Sequence, residues 1–375
     1  MGCHGYPFPP QKMAWAVNQQ RPHHRRRHPN STWRMSIDSG IIRSLGHASD
    51  VRIGRFMALD SATVRFLKQL GEGDGKPLHE STPDEARAFL SKLSELAGPA
   101  PEMWHVEEHN LKEPDGQARL RVLVPLDNPI GVLVYYHGGG WVLGSIDEYD
   151  TVARKLAERT SCAVILVEYR LAPEHRYPTA VDDSYAALKW VGDHVIDIAG
   201  REVPLIVAGD SAGGNLAAVM AIRARDNNGP SIALQVLIYP ATDADFNRPS
   251  YTDPENQLLL TRDGMIWFWD HYLPDPSCRS EPDASPFRAE NLSGLPPAVI
   301  LTAEHDVLRD EGEAYSSRLQ EANVPTDLQR YTGQMHGFFT LLMLHGSELG
   351  FQQVVKAIKA CIVRTAKAQS TSNKI

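Results

Sequence analysis

From residue 58 onward the chain alternates between short apolar runs and longer stretches of helical period. Runs at 130–136 (Ile-Gly-Val-Leu-Val-Tyr-Tyr), 163–169 (Ala-Val-Ile-Leu-Val-Glu-Tyr), 204–208, 232–239 and 298–303 are apolar on consecutive positions. That pattern suits strands buried on both faces of a parallel sheet. Further strands are expected at 118–124 and 326–331. Helical spacing is expected at 148–160, 178–196, 213–227, 310–322 and 348–367, between or after these strands. Repeated strand–helix order predicts an α/β fold with a mostly parallel central sheet flanked by helices.

Two helices precede the strands. Residues 60–70 place Val64, Leu67 and Leu70 on one side. A second helix starts at a Thr82-Pro83-Asp84-Glu85 capping box and runs to about Leu96, stopping near Gly98-Pro99. Residues 243–290 break the alternation. They are rich in Pro and Asp and carry an aromatic helix at 261–272, read as an excursion over the sheet.

Charge divides the chain. Residues 1–56 hold nine Lys/Arg against Asp38 and Asp50, net +7, which leaves −15 on the remaining 319 residues of a chain of net −8. They show little period and contain His23-His24-Arg25-Arg26-Arg27-His28. The expected reading is a disordered basic extension ahead of one folded domain at 57–375. A transit peptide, phosphate binding by the arginines and metal binding by the histidines stay open. Met1-Gly2-Cys3 lacks the Ser or Thr that myristoylation needs, since Tyr6 stands there.

No apolar run reaches the ~18 residues of a membrane span. The acidic balance argues against nucleic-acid partners. Four dispersed cysteines make a disulfide scaffold or cysteine zinc site a poor fit. A cytoplasmic location is expected, and assembly as a homodimer is left open.

Gly209-Asp210-Ser211-Ala212-Gly213 lies between the strand at 204–208 and the helix at 213–227. A Gly-x-Ser-x-Gly on such a strand–turn–helix lifts the serine hydroxyl above the sheet edge as a nucleophile. His137-Gly138-Gly139-Gly140-Trp141 follows the strand 130–136. There the amides of Gly138 and Gly139, with that of Ala212, are expected to hold an oxyanion. The nucleophile needs a base and the base an orienting carboxylate. His336 lies in a small loop after the last strand, and Asp306 lies where the strand 298–303 gives way to its loop. In chain order these complete serine, acid and histidine. Trp141, Trp267 and Phe338 are candidates for an apolar substrate pocket, with plain core packing as the alternative.

These blocks, with Glu168-Tyr-Arg-Leu-Ala-Pro-Glu174 and Asp306-Val-Leu-Arg-Asp-Glu-Gly312, occur in one order across most of residues 58–367. Together they resemble the hormone-sensitive-lipase-like branch of α/β-hydrolases, in its Gly-Asp-Ser-Ala-Gly subgroup. The resemblance implies an α/β-hydrolase fold with a helical cap, expected from about 58–100 and 243–290. It also implies a serine carboxylesterase acting on a small-molecule ester without metal or organic cofactor. Short to medium acyl chains are expected. Amide, lactone or carbamate hydrolysis by the same triad stays open, as does a ligand-binding protein without catalysis. Glu168, Arg170 and Glu174 are expected to be structural ion-pair residues. Val307 departs from the family, which commonly has a proline after the aspartate.

Overall fold

The doubly buried apolar runs occupy the middle of a sheet with the strand order β1-β2-β4-β3-β5-β6-β7-β8. The computed structural model describes residues 59–71, 76–113 and 116–372, all within the unit Ser39–Ile375. The expectations for 1–56 lie outside the described residues. The strands are β1 (His105–Glu113), β2 (Gly116–Val124), β3 (Val132–Tyr136), β4 (Ala163–Tyr169), β5 (Leu205–Asp210), β6 (Ile232–Ile238), β7 (Ala298–His305) and β8 (Thr326–Met335). β1–β2 and β2–β4 pair antiparallel, and every later pairing is parallel.

β1 was not expected from the sequence. Its residues, His-Val-Glu-Glu-His-Asn-Leu-Lys-Glu, are polar because it is an edge strand paired only to β2. An edge exposed to water offers no apolar signature to read.

The longer helices are α1 (Ser61–Gly71), α2 (Pro83–Ser94), α3 (Ile146–Thr160), α4 (Thr179–Ala199), α5 (Ala212–Asp226), α6 (Arg262–Tyr272), α7 (Arg309–Glu321) and α8 (His345–Ser372). Side chains of β3 alternate between two cores. Val132, Val134 and Tyr136 pack with α4, α5 and α7, while Leu133 and Tyr135 pack with α1, α3 and α8. Helices therefore cover both faces, as the apolar runs require.

The capping box forms as read: the Glu85 amide donates to Thr82 Oγ1 at 3.2 Å and the Thr82 amide to Glu85 Oε2 at 2.9 Å. On α2, Arg87 fastens the N-terminal helices to the main body. It donates to the carbonyls of Val142 (2.9 Å) and Ala172 (3.0 Å) and forks onto Glu174. That pairing holds the Glu174 carboxyl down at about 2. Arg170 forks onto buried Asp183, and Glu168 pairs with Arg119. All three residues of the Glu-Tyr-Arg-Leu-Ala-Pro-Glu block are thus engaged in ion pairs.

Candidate active site

Four chain segments meet at the carboxyl ends of the parallel strands, the usual ligand-facing edge of such a sheet. Ser211 follows β5, His137 follows β3, Asp306 follows β7 and His336 follows β8.

Ser211 sits at φ 55°, ψ −119°, outside the conformations an L-residue prefers. The surroundings hold it there. Its amide donates to Ile238 O at 2.8 Å, and its carbonyl accepts from Asn215 (3.0 Å) and Ala241 (3.1 Å). Such strain costs on the order of 1–3 kcal/mol and persists only where packing enforces it. Two residues on, Gly213 lies so close to β3 that a Cβ there would overlap the carbonyl oxygen of Tyr136. α5 is thereby seated directly on the end of β3.

His336 Nε2 is 3.0 Å from Ser211 Oγ, and His336 Nδ1 is 2.8 Å from Asp306 Oδ2. The Leu308 amide donates to the other Asp306 oxygen at 3.0 Å. Asp306 is buried, whereas the serine and the imidazole reach a cavity of about 720 Å³. The structure thus brings the three residues into one hydrogen-bonded line. Tyr239, whose backbone has φ 35°, places its ring 4.7 Å from the imidazole.

The oxyanion loop differs from expectation at one residue. The Gly138 amide is turned away from the cavity and donates to Asp210 Oδ1 at 3.0 Å. Gly138, expected among the oxyanion donors, thus has its amide engaged by a buried carboxylate and does not line the cavity. Gly139 and Gly140 line the cavity with Ala212, and their amides have no partner among the described residues. Ala212 opens α5, so its amide has no carbonyl one turn earlier in the helix. Gly139 has φ 103°, and a side chain there would meet the Leu143 backbone. His137 braces this loop. It is fully buried, stacks on Tyr169 at 4.4 Å, and its Nδ1 meets Gly138 O at 2.7 Å. Burial pulls its imidazole down to about 4, so it is neutral at pH 7.

Asp210 was not singled out by sequence reasoning. Its carboxylate accepts from Tyr135 Oη at 2.9 Å and Tyr149 Oη at 3.3 Å as well as from Gly138. Burial pushes its carboxyl up to about 6 in spite of these donors.

The cavity walls are mostly apolar. Leu70, Phe89 and Leu93 come from α1 and α2, and Leu260, Met265 and Phe268 come from the 243–290 excursion. Of the three pocket candidates, Trp141 lines the cavity, buried and stacked on Tyr272 at 4.3 Å. Trp267 and Phe338 do not line it. On α6 one residue is about 100° of turn, so Phe268 faces the cavity and its neighbour Trp267 packs against His271 instead. Phe338 turns into the core against Tyr239 and Tyr331, leaving Gly337 at the wall. Among the described residues no helix is long and apolar enough to cross a membrane.

A family model described as alpha/beta hydrolase fold matches residues 133–340. Carboxylesterase NlhH of Mycobacterium tuberculosis is 42% identical over 268 residues, 69% of this chain and 83% of that protein. A thermostable esterase from Pseudomonas putida superposes with a TM-score of 0.75 at 36% identity, over 82% of this chain and 98% of that one. An esterase from Pyrobaculum calidifontis gives 0.74 at 38% identity, over 80% and 98%. The match spans more than half of the residues, and it includes the strands and loops that carry Ser211, Asp306 and His336. This chain belongs to the α/β-hydrolase fold family, in its hormone-sensitive-lipase-like branch.

Proposed function

We propose that this carboxylic-ester hydrolase works through Ser211 as nucleophile, His336 as general base and acid, and Asp306 as the carboxylate that orients the imidazole. The observation that carries the reading is the line Ser211 Oγ–His336–Asp306, 3.0 and 2.8 Å long, at the floor of an apolar cavity. Ser211 Oγ adds to the ester carbonyl carbon while His336 Nε2 takes its proton, and Asp306 stabilises the imidazolium. The carbonyl oxygen becomes an oxyanion facing the amides of Gly139, Gly140 and Ala212. Each such donor is worth ~10²–10³ in rate. His336 returns the proton to the departing alkoxide and then activates the water that hydrolyses the acyl-enzyme. The catalytic domain is taken as 57–375, with 58–100 and 243–290 as its cap.

Substrate size follows from the walls. Each buried methylene adds about 0.8 kcal/mol, so affinity climbs with acyl length until the cavity fills. Beyond that, extra carbons stay in water or displace the carbonyl, and a shift near 1 Å costs ~10² in rate. kcat/KM is therefore expected to peak at about four to eight acyl carbons. Monodisperse p-nitrophenyl esters of rising acyl length test this. A rate still climbing at sixteen carbons, with a jump when substrate forms an emulsion, would contradict it.

A further inference from the structure

The carboxylate beside the nucleophile has no part in the proton transfers, yet it is buried and touches the oxyanion loop on two sides. Asp210 Oδ1 accepts from the Gly138 amide at 3.0 Å, and a Cβ on Gly138 would overlap Asp210 Oδ2. Tyr135 on β3 and Tyr149 on α3 clamp the same carboxylate from behind. The peptide after Gly138 then leads into Gly139 and Gly140, whose amides border the cavity. We propose that Asp210 is a positioning residue for the oxyanion loop. Its carboxylate ties the Gly138 peptide to the residue preceding Ser211, so that the next two amides stay aimed above the serine hydroxyl. This rests on the Ser211 reading given above.

The arrangement is costly as a purely structural device. A buried carboxylate is disfavoured against a neutral group of the same shape. An asparagine could accept from Gly138 and Tyr135 through Oδ1 and donate to Tyr149 Oη through Nδ2. The tether therefore needs an acceptor at this point and not the charge. The titratable groups around Asp210 are Tyr135 and Tyr149, which donate to it, the hydroxyls of Tyr169 and Tyr239, and His336. With the carboxyl at about 6 in the fold against an ordinary 3.8, the charged form costs stability above pH 6. That cost fades as pH falls from 6 towards 4.

The test compares Asp210→Ala and Asp210→Asn with the native enzyme, using a 1,1,1-trifluoro-2-ketone of six carbons as probe. Ser211 Oγ adds to its carbonyl carbon, the proton passes to His336, and the carbonyl oxygen becomes an anion where the oxyanion would lie. Native enzyme that failed to bind the ketone reversibly would overturn the Ser211 reading itself, which separates the two failures. Asp210→Ala should lose about 10²-fold in both kcat and ketone affinity, with KM changed less than about threefold. Asp210→Asn should keep both within about tenfold. Its thermal midpoint should lie about 2–4 °C above native at pH 8 and converge with native by pH 4. A folded Asp210→Ala that binds the ketone as tightly as native would overturn the proposal. If the alanine variant does not fold, the asparagine variant decides, since a 10²-fold loss of ketone affinity there would show that an acceptor alone does not hold the loop.

Discussion

Ser211→Ala should fold like the native protein and lose ester hydrolysis by about 10⁴- to 10⁶-fold. Only Oγ is removed. The strained backbone at φ 55° is held by the Ile238, Asn215 and Ala241 hydrogen bonds, none of which uses the side chain. Alanine is no better suited than serine to that conformation, so the thermal midpoint should stay close to native. Residual activity would come from the amides of the oxyanion loop and from substrate binding. Steady-state assays with a p-nitrophenyl butyrate substrate, alongside calorimetry, separate loss of chemistry from loss of fold. Hydrolysis above about a tenth of native would remove Ser211 from the mechanism.

Gly213→Ala should be damaging, although alanine in place of a helical glycine ordinarily stabilises by about 1 kcal/mol. The sign reverses here because the new Cβ would meet backbone, not flexible side chains. It would overlap Tyr136 O and lie 2.6 Å from His137 O. Strand β3 is fully buried and paired on both sides, by β4 and β5, so it cannot retreat. α5 must move instead, and it carries Ala212 and the serine turn with it. Overpacking of this kind costs about 1–3 kcal/mol or more. A shift of the nucleophile near 1 Å costs a further ~10² in rate. The expected outcome is a thermal midpoint several degrees lower and kcat below about a hundredth of native. A variant with native midpoint and native kcat would show that the helix is not seated on the strand as described.

What could be read in advance follows from where chemistry meets regular structure. Ser211, Asp306 and His336 each come immediately after an element, two of them after apolar strands that are hard to mistake. β8 is mostly polar, yet its end at Met335 puts His336 in the loop where the sequence had it. The central sheet was legible for the same reason, because burial on both faces leaves runs of Val, Ile and Leu. β1 was not, because its partners are β2 and water. The oxyanion loop shows a different limit. Three consecutive glycines announce amides free of side chains, but which amide is spoken for depends on Asp210, 72 positions along the chain. Its carboxylate takes the first amide and leaves the next two. The pocket walls failed in another way. The run Trp267-Phe268-Trp269 is apolar all round, so period alone does not set which ring faces the cavity. Phe268 does so, packed on the bare Cα of Gly140, where any side chain would strike its ring. Helices α1 and α2 were legible as helices. Their placement depends on Arg87 reaching the Val142 and Ala172 carbonyls, contacts with no local signature.

In the proposed mechanism His336 makes the Ser211 hydroxyl nucleophilic. The most direct test is covalent labelling by a p-nitrophenyl alkylphosphonate, followed by intact mass and peptide mapping. One phosphonyl group should add per chain, on the peptide containing Ser211, with release of one p-nitrophenolate. His336→Ala should slow that labelling by about 10²-fold or more while leaving the fold intact. An adduct on a different residue, or labelling of Ser211 at an unchanged rate without His336, would contradict the account.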